Sequence, residues 1–252
     1  MNLKKNILNA IKTDWKTIII VYSISMLLTF LLRQLPNGLR EFGLLLFDFW
    51  LPFNWNHGIA VLVTAIIGYR FFKTKRETTL LGIDRIKSLI FPLIVLVAYS
   101  IVGISNRHGI NEHLWGLFFV SMTLVYDIME ESFWRGYLND LIKPKYLAIK
   151  YIITGILWSI WHILIFDNFN QFGGFHIFLL FSILASFIIG YATTKTNSIL
   201  VAASIHALLI SRNLYVTIIC FVIWAIMIIT WNKKLLTTIT INNWGESDKT
   251  KL

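Results

Sequence analysis

Cysteine is nearly absent: the 252 residues hold a single one, Cys220, inside an apolar run. That excludes a disulfide framework, a CxxC motif and a cysteine-based metal site. Charge is scarce as well. Charged residues make up 14% of the chain and hydrophobic ones 56%, with a mean hydropathy of +0.67, whereas a soluble domain carries about 25% charged residues. Neither an internal repeat nor a polar stretch suited to a second soluble domain interrupts this pattern. The composition implies a polytopic membrane protein. Acidic residues are outnumbered by basic ones, 13 to 23, for a net charge of +10. Aromatic and basic residues do not interleave in a patch, so no nucleic-acid partner is expected. The basic residues instead flank apolar segments, where they orient a chain in the lipid bilayer.

A span needs about 20 apolar residues. On that criterion helices are expected near 15–33, 57–72, 88–105, 113–134, 147–166, 175–193, 198–212 and 214–232. The fold class is therefore an all-α polytopic membrane helix bundle, with about eight transmembrane helices enclosing a polar cavity. The first run ends in Arg33 without a small-residue cleavage site, so it reads as a retained span and not a removed signal peptide. The run 42–53 is too short to cross, contains Asp48 and Pro52, and reads as interfacial or re-entrant. With the N-terminus inside, 19 of the 23 Lys and Arg residues fall on the cytoplasmic side and only Arg33, Arg40, Arg107 and Arg212 on the other. An integral, multi-pass cell-membrane protein with both termini cytoplasmic follows. Residues 1–235 are expected to form one integral membrane domain and the polar tail 236–252 to be disordered.

Few ionisable residues lie inside the spans, and those few mark the candidate site. Glu130 and Glu131 end the fourth span, and Arg135 follows four residues after Glu131. An ionised carboxylate facing lipid costs about 2.5–3.5 kcal/mol even on lenient scales, so such acids face a bundle interior or a wet cavity. On a helix Glu131 and Arg135 share a face and can pair, while Glu130 points about 100° away, free to face a cavity. Asp127 adds an acid on nearly the same side as Glu130, as a supporting partner or a group reaching a neighbouring helix. His162 sits in the fifth span with Trp158 one turn earlier, where the indole can pack on the imidazole. His206 lies within Ala203-Ser204-Ile205-His206-Ala207. His176 and Asp48 rank lower, the first near a span end and the second in the ambiguous run. Taken singly, each histidine could be an interhelical hydrogen-bond partner and the acidic triplet could snorkel to the interface.

Two chemistries fit a carboxylate with two imidazoles, and both are hydrolytic. In one, the glutamate activates a water, His162 positions or protonates, and His206 donates to a developing oxyanion. In the other, Glu130, His162 and His206 ligate zinc with an open water position. HExxH, GxSG and GxGD are all absent. A transporter built on paired broken helices or a pseudo-repeat finds no support.

Three motifs occur in order: Glu130-Glu131-x-x-x-Arg135, Trp158-x-x-x-His162, and Asn197-Ser198-Ile199 leading to His206-Ala207. In these, over roughly residues 88–232, the chain resembles the CAAX-processing and bacteriocin-processing (CPBP, or Abi) membrane proteases. The resemblance implies an intramembrane endopeptidase acting on a membrane-associated peptide or protein, of CAAX, leader, pheromone or bacteriocin type. It implies that Glu130 activates water with His162 and that His206 helps form the oxyanion site; Glu131 is counted with these three as catalytic, and Arg135, Trp158 and Asp127 as supporting. Descriptions of the family include both metal-dependent and glutamate-dependent enzymes; the expectation here is no obligatory cofactor, with zinc as the alternative. Two departures stand out: Trp158 replaces a usual phenylalanine, and Ile210 stands where relatives commonly carry asparagine, removing a candidate oxyanion donor. A non-catalytic membrane protein of the same fold, giving bacteriocin immunity or scaffolding a partner, is the competing reading.

Overall fold

The computed structural model describes residues 14–231 apart from 73, 144, 145 and 212. The expected tail 236–252 and the lysines at 4, 5 and 12 lie outside the described residues. The helices run in the order α1 Trp15–Arg33, α2 Gly38–Phe47, α3 Asn56–Phe71, α4 Arg85–Val102, α5 Glu112–Glu131, α6 Leu138–Leu141, α7 Leu147–Trp161, α8 Phe175–Thr196, α9 Ile199–Ser211 and α10 Leu214–Ile229. Among the described residues there is no strand, only an isolated parallel bridge between Thr79 and Ser198. The fold is an all-α helical bundle of the membrane type.

Each of the eight expected spans overlaps one long helix. Trp15–Phe47, Arg85–Val102, Leu147–Leu164 and Phe175–Thr196 are long and apolar enough to cross a membrane. A turn at 34–37 divides the first of these into α1 and α2. Helix α5 has the length, 20 residues, but carries Glu112, Asp127, Glu130 and Glu131. The ten-residue α2 rises only about 15 Å, half a hydrocarbon core. It stops at Asp48, whose left-handed backbone (φ 58°) caps it. Arg40 lies 3.6 Å over the Trp50 ring beside it.

Lateral surfaces carry exposed Leu, Ile and Phe, such as Leu180, Leu184, Ile219 and Phe221, as lipid contact requires. Inside lie two apolar clusters. One joins α4, α5, α9 and α10 through Phe91, Tyr99, Cys220 and Trp224. The other joins α1, α3 and α7 to the segment after α5 through Phe133, Trp134, Tyr137 and Trp161. Glycine lets α3 approach closely: Gly58 lies against Tyr126 and Met129, and Gly68 against the Tyr137 ring. A side chain at either position would push α3 off the acid-bearing helix.

The expected fourth span, ending at 134, needs correcting. The helical path continues past Glu131 as a π-helical turn, Ser132–Tyr137, and then α6. Ser132 Oγ donates to the Ile128 carbonyl at 2.6 Å, and Phe133, Trp134 and Tyr137 are all fully buried in the second cluster. The wide turn seats three bulky rings where a regular helix would crowd them. Glu130 and Glu131 thus lie within a longer helical rod rather than near its end.

Candidate functional site

The seam between the two apolar clusters holds the polar residues. Asp127, Glu130 and Glu131 come from the last turn of α5, and Arg135 from the π turn; none is more than 2% exposed. Helix α7 contributes Trp158, α9 contributes His206, and His162 stands at the junction following α7. Ile205 and Ala207 belong to one cluster and Trp158 to the other. All seven residues singled out from the sequence are buried along this seam.

Glu131 and Arg135 pair as their spacing implies, with Nη1 3.0 Å from Oε1. Arg135 Nη2 also donates to Ser186 Oγ on α8 at 3.0 Å. That second anchor carries no motif in the sequence; a serine in an apolar span reads there as filler. Glu131 Oε1 lies 2.8 Å from His206 Nδ1. Asp127 Oδ1 is 3.6 Å from the same nitrogen, so this aspartate does reach a neighbouring helix. Neither oxygen of Asp127 has a hydrogen-bond partner among the described residues, nor does Glu131 Oε2. Buried polar atoms are rarely left so.

Trp158 is the hub. Its Nε1 donates to Glu130 Oε2 at 3.3 Å. The rings of His162 and His206 meet it edge-on, with centroids at 5.0 and 5.1 Å, and the Arg135 guanidinium lies 5.0 Å from its centre. One indole therefore touches the free glutamate, both imidazoles and the clamp. The Tyr126 side chain also adjoins Glu130.

His162 is not deep inside its helix as expected. The α-helix ends at Trp161, and His162 opens a short 3-10 turn, His162–Leu164. The tightened turn directs ring Nδ1 at the Trp158 carbonyl, 2.7 Å away. A carbonyl only accepts, so Nδ1 carries hydrogen and the neutral ring keeps a free lone pair on Nε2. Phe166 and Phe178 enclose the same ring, with centroids 5.2 and 5.0 Å away.

Ile210, four residues after His206 on α9, is 39% exposed. Ser211 Oγ bonds back to the Ala207 carbonyl at 3.0 Å and Asn213 Oδ1 caps α10. Neither supplies the missing asparagine. Asp48 lines a separate cavity with Phe49, Trp50, Arg107 and His108, and His176 is exposed. His57, absent from the sequence motifs, is buried at the start of α3 with Nε2 unpartnered among the described residues. Among the described residues no group of three or more His, Cys, Asp or Glu is arranged to hold a metal ion. Glu130, His162 and His206 do not form such a group.

No curated protein and no solved structure matches the chain. Residues 112–211, from the start of α5 to the end of α9, match the family model described as type II CAAX prenyl endopeptidase, Rce1-like. That stretch holds every residue of the buried seam described above. Over that stretch the chain is similar to the Rce1-like CAAX endopeptidases of the CAAX-processing and bacteriocin-processing membrane protease group.

Proposed function

We propose that this protein is an intramembrane endopeptidase in which Glu130 activates the attacking water. The observation that carries the reading is the Trp158 hub, which gathers Glu130, His162 and His206 around one ring. Glu130 accepts one hydrogen bond from the indole and is not tied to Arg135, which is taken by Glu131 and Ser186. Such a carboxylate can take a proton from water as the oxygen attacks the scissile carbonyl carbon. His162, with Nδ1 committed to Trp158, offers Nε2 to position that water or relay its proton. His206, its Nδ1 turned to Glu131, presents Nε2 to the developing oxyanion and as an imidazolium donates to it. Collapse of the tetrahedral intermediate then breaks the C–N bond, and the proton held by the Glu130–His162 pair passes to the leaving amine. The other product is a carboxylate.

We infer further that residues 1–235 form one integral membrane domain with both termini cytoplasmic, the protease-like core being about 88–232. The substrate is then a membrane-associated peptide or protein cut where its chain can reach the seam. Purified wild-type protein and Glu130→Gln, offered a membrane-peptide library with and without a zinc chelator, test the mechanism. Removing the base should lower the rate about 10²–10⁴-fold, with insertion intact and the wild type resistant to the chelator. Normal processing by Glu130→Gln would sink the assignment. Loss of wild-type cleavage with the chelator would point to metal, and no cleavage by folded wild type to the non-catalytic binding protein.

A further inference from the structure

A second buried carboxylate lies one turn beyond the π segment, and the seam makes no use of it. Asp140 is 2% exposed. Its oxygens accept from Tyr69 Oη at 2.7 Å, the Glu77 backbone N–H at 2.9 Å and Thr78 Oγ1 at 2.8 Å. The Thr78 backbone N–H lies within 3.1 and 3.2 Å of both oxygens. These donors come from the end of α3 and from an extended strap between α3 and α4.

Immediately after Thr78 the strap engages α9, the helix that carries His206. The backbone N–H groups of Ile199 and Leu200, in its first turn, donate to the carbonyls of Thr79 and Leu80 at 2.9 and 3.1 Å. Ser198 Oγ donates to the Leu80 carbonyl at 3.0 Å. In return Thr79 N–H donates to the Asn197 carbonyl at 2.9 Å and Ile83 N–H to that of Thr196 at 3.0 Å. The first N–H groups of a helix have no partner within it, so the strap supplies what α9 lacks. Gly82 holds φ +61° close against Thr196 and Ser198; a side chain there would lift the strap away.

We infer that Asp140 is a positioning residue which, through the strap, sets His206 on α9 against Glu131 on α5. Asp140 lies on the same helical rod as Glu131 and Arg135, and Gly136 between them packs on Ile199. The rod therefore grips α9 twice: directly at Ile199, and through Asp140, Thr78 and the strap at the helix start. His206 lies two turns along α9 from that grip. A loosened strap lets α9 slide or tilt, so the 2.8 Å approach of His206 to Glu131 is lost while the seam residues themselves are unchanged.

The inference rests on the proteolytic reading above, and its test separates the two. Asp140→Asn and the milder Thr78→Val, full-length and in detergent, are compared with wild type for kcat, KM and thermal unfolding. Positioning predicts kcat down about tenfold to a hundredfold, the usual scale for a misplaced group, with KM and the folded fraction at assay temperature unchanged. A cysteine pair at the bridge, Thr79→Cys with Ser198→Cys in a Cys220→Ala background, should restore kcat to Asp140→Asn on oxidation and lose it on reduction. Wild-type kcat in Asp140→Asn, or a loss that follows the folded fraction and resists the disulfide, overturns it. If wild type cleaves nothing, the proteolytic reading fails on its own. The imidazole nitrogen resonances of His206 then decide: a shift in Asp140→Asn supports the positioning role, and identical spectra refute it.

Discussion

Asp127 and Asp140 are the same residue type, on one helical rod, and equally hidden from solvent, yet their surroundings are opposite. Asp140 accepts from two backbone N–H groups and two hydroxyls. Asp127 accepts from nothing among the described residues, and His206 Nδ1 lies 3.6 Å from its Oδ1. A buried polar group without a partner costs about 1–3 kcal/mol, whereas a satisfied one is close to neutral or favourable. Asp140 thus helps hold the fold, and Asp127 is tolerated by it. Several buried polar atoms of the seam lack a hydrogen-bond partner among the described residues, at Asp127, Glu131 Oε2, Arg135 Nε and His206 Nδ1. That is where a water and a peptide would have to be accommodated.

The contrast breaks most sharply at Asp140. Asp140→Ala strips the acceptor from four donors on Thr78, Glu77 and Tyr69 together, and at about 1–3 kcal/mol per stranded donor the expected loss is at least about 4 kcal/mol. Thermal or denaturant unfolding in detergent measures it, and a loss under about 1 kcal/mol would mean that the strap finds water instead. Asp127→Asn is the counterpart. With no donor to strand, it should leave stability within about 1 kcal/mol of wild type, on either side, while cleavage falls because the group beside His206 is gone. If Asp127→Asn destabilises as much as Asp140→Ala, the division between the two carboxylates is wrong.

Trp158→Phe sharpens the picture further. It removes the 3.3 Å bond to Glu130 and keeps an aromatic ring between the histidines. One hydrogen bond is worth about 0.5–1.5 kcal/mol, so the rate should fall no more than about tenfold, with little change in unfolding. Trp158→Ala, by contrast, takes away the ring that both imidazoles and Arg135 pack on. Comparing kcat of the two variants separates the bond from the ring.

How much of this was legible beforehand follows from where each signal resides. The spans could be read because hydropathy is a local property: α1 is bounded at Trp15 and Arg33, as expected, and α7 begins at Leu147. The Glu131–Arg135 pair was legible because i,i+4 neighbours meet on a helix whatever surrounds it. The π turn was not, because it answers to Phe133, Trp134 and Tyr137 competing for space in a cluster assembled from distant helices. His162 was expected deep in a helix, since nothing local distinguishes a last turn that tightens. The strap escaped notice because its order comes from Asp140, more than 60 residues away along the chain, and from the start of α9. Ser186 and His57 have only tertiary signals. The roles proposed for Glu130, His162 and His206 rest on motif and geometry together.

Glu77 extends the comparison to a third carboxylate, one that faces water. Its backbone N–H serves Asp140, while its side chain, 44% exposed, accepts from Lys143 Nζ at 2.9 Å. The hydrogen bond and positive charge of Lys143, helped by Lys75, hold the Glu77 carboxyl below the usual carboxylate range. A carboxyl whose folded pKa lies below its unfolded one stabilises the fold above the unfolded value. That stability is lost as pH falls through the folded value. Both partners are about half exposed, so screening limits the pair to about 0.2–1 kcal/mol. Lys143→Met should therefore lower the unfolding midpoint slightly at neutral pH, and the difference from wild type should shrink as Glu77 protonates in acid or as salt is raised. A difference that stays constant from neutral pH to well below the carboxylate range would show that the charge pair with Glu77 is not its source. Glu77 would then matter only through its backbone N–H, as one more donor to Asp140.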